Sequence, residues 1–496
     1  MVLGFIPLGD LSNICGNPSS KPNGVTFREQ LGKARLRSSE RMTADPPLAI
    51  PPMPPRLHLC PCNVVADAWG ADRVEPCPIV QCSKELSVGW DSQGSGFMAA
   101  APYQYDLATC VDDIDIKSWH QVCDSSGNPY LDLRFLRAVE ISFAREASFW
   151  YLIARDESGR SVACTCFSRY LVDGVLMAPA VIQRGITGIR RFWPSFLKYK
   201  ILLCGIPVST CNHQLAIADH ADRQRLLATL DTVAVKLARA SGCPLISFKE
   251  FPPEIAVQMD ALKDEGFLWA RSVMAYSLKG EYGSFDGYYD TRSKSRRSKI
   301  RKTFRKLECA GLTCEERQGR DGVDQLFTDD VHRLYLNVLD RAHVKFEKIP
   351  VEFFRELARQ LPDESCFTIF RKDNRIVGFC CGLRSHRQHH MLFCGLDYSL
   401  NSDAELYFNI LYRGLSHGII PGVKAVHIGA AADEFKQHIG CEGKPLSIYV
   451  KAVGTVRHFL LKQVFGLLFD TKPAPVPQLV QHTTEDYEPQ EVRRAA

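Results

Sequence analysis

Long apolar runs are missing from this chain of 496 residues. None reaches the roughly 18 residues that a membrane-crossing helix needs, so no spanning segment is expected. The opening also lacks the apolar core of a secretory signal, and a cytoplasmic setting is expected from that. A large excess of charge is missing too: a net +5 at this length selects no partner by itself. No glycine lies between Gly395 and Gly414, so that stretch has no glycine-rich turn of the kind that wraps a pyrophosphate. Cysteine, by contrast, is plentiful. Nineteen copies in a long chain without a secretory signal read as thiols rather than as a disulfide framework. Cys164, Cys166, Cys380 and Cys381 fall inside strand-like runs, where a free thiol behaves as a small apolar residue. His58, Cys60, Cys62, Cys77 and Cys82 begin with a C-x-C pair instead of a zinc knuckle, so no metal site is expected.

What is there is one pattern written twice. Phe149 to Phe167 (FWYLIARDESGRSVACTCF) and Cys366 to Leu383 (CFTIFRKDNRIVGFCCGL) are each an apolar strand, a charged turn and a returning strand, the signature of a β-hairpin. KILLCGIPVS from Lys200 then matches HMLFCGLDYS from His390. A long helical stretch follows each, and short helices close at Gly266 and Gly440. The second copy carries polar residues where the first has Pro207, Val208 and Leu262, so the second is expected to work and the first to support it. The fold expected is mixed α/β, with two tandem domains, 111–285 and 286–455, each a mixed sheet flanked by helices. Residues 1–110 hold 13 of the 28 prolines and are expected to be mostly disordered. Up to Arg41 they read as a targeting peptide or as an over-extended start before Met42. Residues 456–496 are expected to form an amphipathic helix and a disordered tail.

Helices are expected over Asp132–Arg145, Asp222–Arg239, Ser293–Ala310, Val323–Ala342 and Ala404–Gly418, the last opened by an S-x-x-E capping box of Ser402 and Glu405. From Arg292 to Lys306 there are nine Lys or Arg and no acid, leaving most of that helix wet and positive. Arg296, Arg297 and Arg301 there are candidates for contact with phosphate or nucleic acid; a solvated helix is the plain alternative.

The order of elements, with GLDYSLNSDAELYFNILYRGLSHGI from Gly395 and HIGAAADEFKQHIG from His427, resembles the GNAT acyltransferases. The tandem form is similar to their FemAB-like branch, which is similar to peptidoglycan aminoacyl transferases. The resemblance implies two neighbouring strands that splay apart to seat an acyl donor against an amine. No tightly bound cofactor is expected; the co-substrate is an acyl-CoA or an aminoacyl-tRNA, and a tRNA or nucleotide-linked partner follows from the latter. Tyr398, Ser399, Asn401 and Ser402 would line the donor loop. Lys436, in the F-K-x-x-x-G phrase FKQHIG, would hold phosphate or an oxyanion, or is a solvated helix lysine. Asp397 is a general base or a turn former, Tyr407 a proton donor or a packing residue, and His427 a base or a hydrogen-bonded core residue. The alternative to an acyltransferase is an RNA-binding or scaffold protein on a degenerate GNAT fold.

Overall fold

A computed structural model of the chain describes residues 102–471, except 174–185, 187, 194, 196–197, 343–346, 386 and 431–432. The expectations for residues 1–101, the cysteine cluster within them and the tail beyond 471 lie outside the described residues.

The first repeat comprises β1 (Gln104–Ala108), α1 (Ile116–Ser126), α2 (Leu133–Ser142), β2 (Ala147–Arg155), β3 (Ser161–Asp173), β4 (Lys198–Cys204), β5 (Leu215–Ile217), α3 (Arg223–Ala240), β6 (Leu245–Phe251) and β7 (Leu268–Lys279). The second comprises α4 (Lys294–Cys309), β8 (Thr313–Gln318), α5 (Asp329–Arg341), α6 (Val351–Gln360), β9 (Ser365–Lys372), β10 (Arg375–Arg384), β11 (Gln388–Leu396), α7 (Leu406–Gly418), β12 (Ala425–Gly429), α8 (Asp433–His438) and β13 (Glu442–Ala452). After it comes α9 (Thr455–Leu468). β1 begins inside the stretch expected to be disordered and pairs with β2.

Local chemistry explains most boundaries. Asp115, Asp132, Asp222, Ser293 and Thr328 each accept a backbone N–H from the first turn of α1, α2, α3, α4 and α5. The expected helix over 323–342 is broken, because Thr328 caps a new start. Both hairpins form. In the second, Asp373 and Asn374 take φ of 47° and 68°, the left-handed pair a two-residue turn requires. The strand cysteines Cys164, Cys166, Cys380 and Cys381 are buried free thiols. No helix among the described residues is long and apolar enough to cross a membrane.

The fold is mixed α/β, but the repeats do not keep separate sheets. One sheet runs β1-β2-β3-β4-β6-β13-β7-β12-β11-β10-β9-β8, with β5 beside β3. β13, the last strand of the second repeat, pairs antiparallel with β6 of the first. β7, the last strand of the first, pairs antiparallel with β12 of the second. β13 and β7 also pair with each other. Each repeat thus gives its final strand to the other, and a boundary at 285 in sequence is no boundary in the sheet. The core is shared as well: Phe135 of α2 meets Phe353 of α6 edge to face at 6.2 Å, within a cluster that also takes in Phe327, Phe367 and Phe379.

Each repeat has one parallel pair, and the second of them parts at its carboxy end. β4 and β6 pair from Ile201↔Leu245 to Cys204↔Phe248. β11 and β12 pair only at Gln388↔Ala425, His389↔Val426 and His390↔His427, after which Met391–Leu396 has only β10 beside it. The repeated Cys-Gly dipeptide sits where each leaving strand is most crowded. Gly205 has φ of 130°, and a Cβ on Gly395 would lie 2.5 Å from Phe379 and 2.6 Å from the Tyr335 backbone nitrogen. Gly395→Ala must therefore push α5 off β11. We expect it to cost about 1–3 kcal/mol in urea unfolding, whereas Gly466→Ala, at a site with open space, should cost nothing measurable.

Candidate active site

β11 is followed by Asp397, whose carboxylate accepts from the Ser399 backbone N–H at 3.0 Å, the Ser399 hydroxyl at 2.6 Å and Arg375 Nη2 at 2.6 Å. The Ser399 hydroxyl and the Arg375 guanidinium hold this carboxyl below its usual range against the opposing effect of burial. Its carboxylate caps its own turn through Ser399 and is tied to the first residue of β10 through Arg375, and a lowered pKa makes it a weak base. Arg341 lies over the Tyr398 ring at 3.7 Å.

The expected capping box does not form. Ser402 donates to the neighbouring Asp403 carboxylate at 3.1 Å, and Glu405 takes a left-handed φ of 47°, so α7 starts at Leu406 rather than Ala404. The Glu405 carboxylate instead accepts from Thr303 Oγ1 and Lys306 Nζ, each at 2.6 Å, which pins the loop to α4. Asn401 takes over the capping, its Oδ1 accepting the Tyr407 N–H at 2.8 Å. Tyr407 packs beside Phe408, and burial raises its phenol.

Lys436 is only 3% exposed, so it is not a solvated helix lysine. Its ammonium donates to the carbonyls of Ile428 at 2.9 Å, Gly429 at 3.0 Å and Ala430 at 2.8 Å, the chain leaving β12. This charge sits at the opening between β11 and β12. Burial pushes the Cys394 thiol of β11 up to about 11, with Lys436 opposing. Cys211 of the first repeat is pushed up to about 12 by burial and Glu250, again with Lys436 opposing.

At the pairing end of the opening, the rings of His390 and His427 stack at 4.4 Å, and Tyr130 meets His390 edge to face at 5.0 Å. Burial, aided by Lys444 and Lys279, takes His427 down to about 4, and burial takes His390 well below its ordinary value. Both rings are neutral near pH 7. His427 Nε2 is buried without a hydrogen-bond partner, so the hydrogen-bonded core reading does not hold at that atom.

The sequence reading missed a cluster of charged groups in the first repeat. At the end of β6, Lys249 and Glu250 are 2% and 0% exposed and lie 3.5 Å apart. Lys249 Nζ donates to the Val208 carbonyl at 3.1 Å. Glu250, with φ of 67°, accepts from the Ser209 hydroxyl at 2.5 Å. The Ser209 N–H donates to Glu347 Oε1 at 2.5 Å. Glu347 retains partial exposure, yet burial raises its carboxyl to about 7, with Lys249 opposing. Two adjacent charges ending the apolar strand LISFKEF were the available signal, since buried charges need partners.

Arg296 and Arg301 stay on the exposed side of α4, and Arg297 lies 6.0 Å above the Tyr289 ring. α4 packs against the loop before α7. A shallow cavity of about 440 Å³ there is lined by Arg305, Lys306, Cys309, Lys372, Leu400 and Asp403.

The chain carries two repeats, each with an antiparallel hairpin followed by a parallel strand pair, joined in one mixed sheet. The chain belongs to the FemAB-like family, described as one of peptidoglycan biosynthesis and recognition, whose model matches residues 110–452. Among curated proteins, the putative 8-amino-7-oxononanoate synthase 2 of Mycobacterium tuberculosis is 25% identical over 289 residues, 56% of this chain and 36% of that protein. The chain thus spans about a third of the relative it matches. Solved structures with similarity include FemX, at TM-score 0.41 and 10% identity over 66% of this chain and 93% of that one. A tandem GNAT protein from the clavulanic acid biosynthesis pathway gives 0.41 and 12%, over 71% and 99%. The C-terminal domain of a putative lysylphosphatidylglycerol synthetase from Agrobacterium fabrum gives 0.40 and 11%, over 73% and 99%.

Because the carboxyl of Glu347 is raised in the folded chain, the native state binds this proton more tightly than the unfolded one. Its contribution is favourable at low pH and is lost as pH rises from the ordinary carboxyl range through about 7. Glu347→Gln should therefore raise the melting temperature more at pH 8 than at pH 5. An equal shift at both would mean an ordinary carboxylate.

Proposed function

We propose that the protein is an N-acyltransferase of the FemAB-like type, moving an acyl or aminoacyl group from an activated ester or thioester donor to an amine, with its site where β11 leaves β12. The observation that carries this reading is the buried Lys436 ammonium at that opening, drawn against three carbonyls. A fixed cation there lowers the energy of the oxyanion that forms when an amine attacks a carbonyl. The base in this reading is Glu347 instead of Asp397. A carboxyl with a pKa of about 7 and partial exposure suits proton removal from an ammonium, whereas Asp397 is tied to its turn. Tyr398, Ser399 and Asn401 line the donor side.

The donor is an aminoacyl ester, such as aminoacyl-tRNA, rather than acyl-CoA held by a phosphate-gripping helix end. Asn401 already occupies an N–H at the start of α7, and the Glu405 carboxylate lies in the same loop, paired with Lys306. No tightly bound cofactor takes part. The exposed cations of α4 favour RNA contact, which serves a tRNA-borne donor and also the second reading, a binding protein without turnover.

Transfer assays on the full chain, with aminoacyl-tRNA and acyl-CoA compared as donors, test this. Lys436→Met and Glu347→Gln should each lower kcat/KM about 100-fold or more, and Asp397→Asn less than about fivefold. The wild-type profile should fall about tenfold per pH unit below about 7, the acid limb set by Glu347. Unchanged turnover in both of the first two variants removes the site, and salt-sensitive RNA binding with no turnover selects the second reading.

A further inference from the structure

Helix α9 has two apolar sides. Leu461, Phe465 and Phe469 face inward on Ile201, Leu203, Ala270, Ile448 and Val450. On the opposite side Val456, Phe459, Leu460 and Val464 are 73%, 60%, 58% and 41% exposed. A helix resting on a sheet in water normally turns polar residues outward. Here Arg457 and Lys462, both exposed, flank the outer apolar stripe, and no acid occurs from Gly454 to Phe469. A second patch of the same character lies at the end of β3. Phe192 is 92% and Trp193 60% exposed, Ile189 and Leu171 are exposed as well, and the same stretch of chain carries the exposed cations Arg191, Lys198 and Lys200. Arg190 binds the Asp173 carboxylate through two nitrogens at 2.7 and 2.6 Å, fixing this segment to β3. Val172, next to Asp173 at the same strand end, packs against the apolar cluster that Phe465 and Phe469 complete beneath α9.

We infer that this end of the protein is a docking surface for an anionic phospholipid bilayer, with α9 lying in the interface. Apolar and aromatic side chains enter the acyl boundary while the flanking Arg and Lys reach the headgroup phosphates. The charge decides among occupants: a stripe framed only by cations suits a negative surface, whereas a second copy would bring the same cations against themselves. This docking is separate from the transfer chemistry, since none of these residues lines the β11–β12 opening.

The test is co-sedimentation of the full chain with vesicles of phosphatidylcholine alone and of phosphatidylcholine with about 30% phosphatidylglycerol. Binding to the anionic vesicles that weakens with salt is expected. Phe459→Ser with Leu460→Ser, and separately Phe192→Ser with Trp193→Ser, should each lower it about tenfold without shifting the melting temperature. No binding to anionic vesicles overturns the inference, as does binding that neither pair of substitutions weakens. Concentration-dependent dimerisation abolished by the α9 pair would also overturn it, because a second copy would then cover the face.

Discussion

Strand β13 is hydrogen-bonded to β6 on one side and β7 on the other, and the rest of the molecule depends on that insertion. Removing it would leave β6 and β7 with open edges in the middle of a sheet whose faces are buried, exposing unpaired backbone groups. Because β7 in turn pairs with β12, neither repeat can fold its full sheet alone. The exchange brings the loop after β4 and the chain leaving β12 into one neighbourhood, which is why Cys211 of one repeat feels Lys436 of the other.

The first repeat carries buried charges of its own, Lys249 and Glu250, and Glu347 reaches its loop from the second. Buried charges of this kind are stable only in mutual company, and here each has a partner: Lys249 a carbonyl, Glu250 a hydroxyl, Glu347 a backbone N–H. The second repeat supplies a cation held by carbonyls. Each half of the chain therefore supplies both a carboxyl and a buried ammonium, and Cys211 feels both Glu250 of the first and Lys436 of the second.

Much of the local structure was legible from residue types alone. The hairpins followed from apolar alternation and polar turns, the start of α2 from Asp132 and that of α3 from Asp222, and the mixed α/β class from the order of elements. The reading failed where a side chain had a distant competitor for its bonds. Ser402 and Glu405 have capping-box spacing, but Thr303 and Lys306 on α4 claim the glutamate, and the helix breaks there. Lys436 was identifiable as a residue to watch, yet its burial depends on Ile428, Gly429 and Ala430 closing over it.

The sequence by itself determined that there are two copies, which residues alternate toward a core, and where the hairpins turn and most helices lie. Those properties arise from neighbours within a few positions, so they can be read without coordinates. Only the tertiary structure decided which strand lies between which, that the two sheets are one, and which charged groups lose water. Pairing partners and desolvation are set by residues hundreds of positions apart, and a pKa such as that of Glu347 exists only once Lys249 and the loop at Ser209 have come to rest beside it.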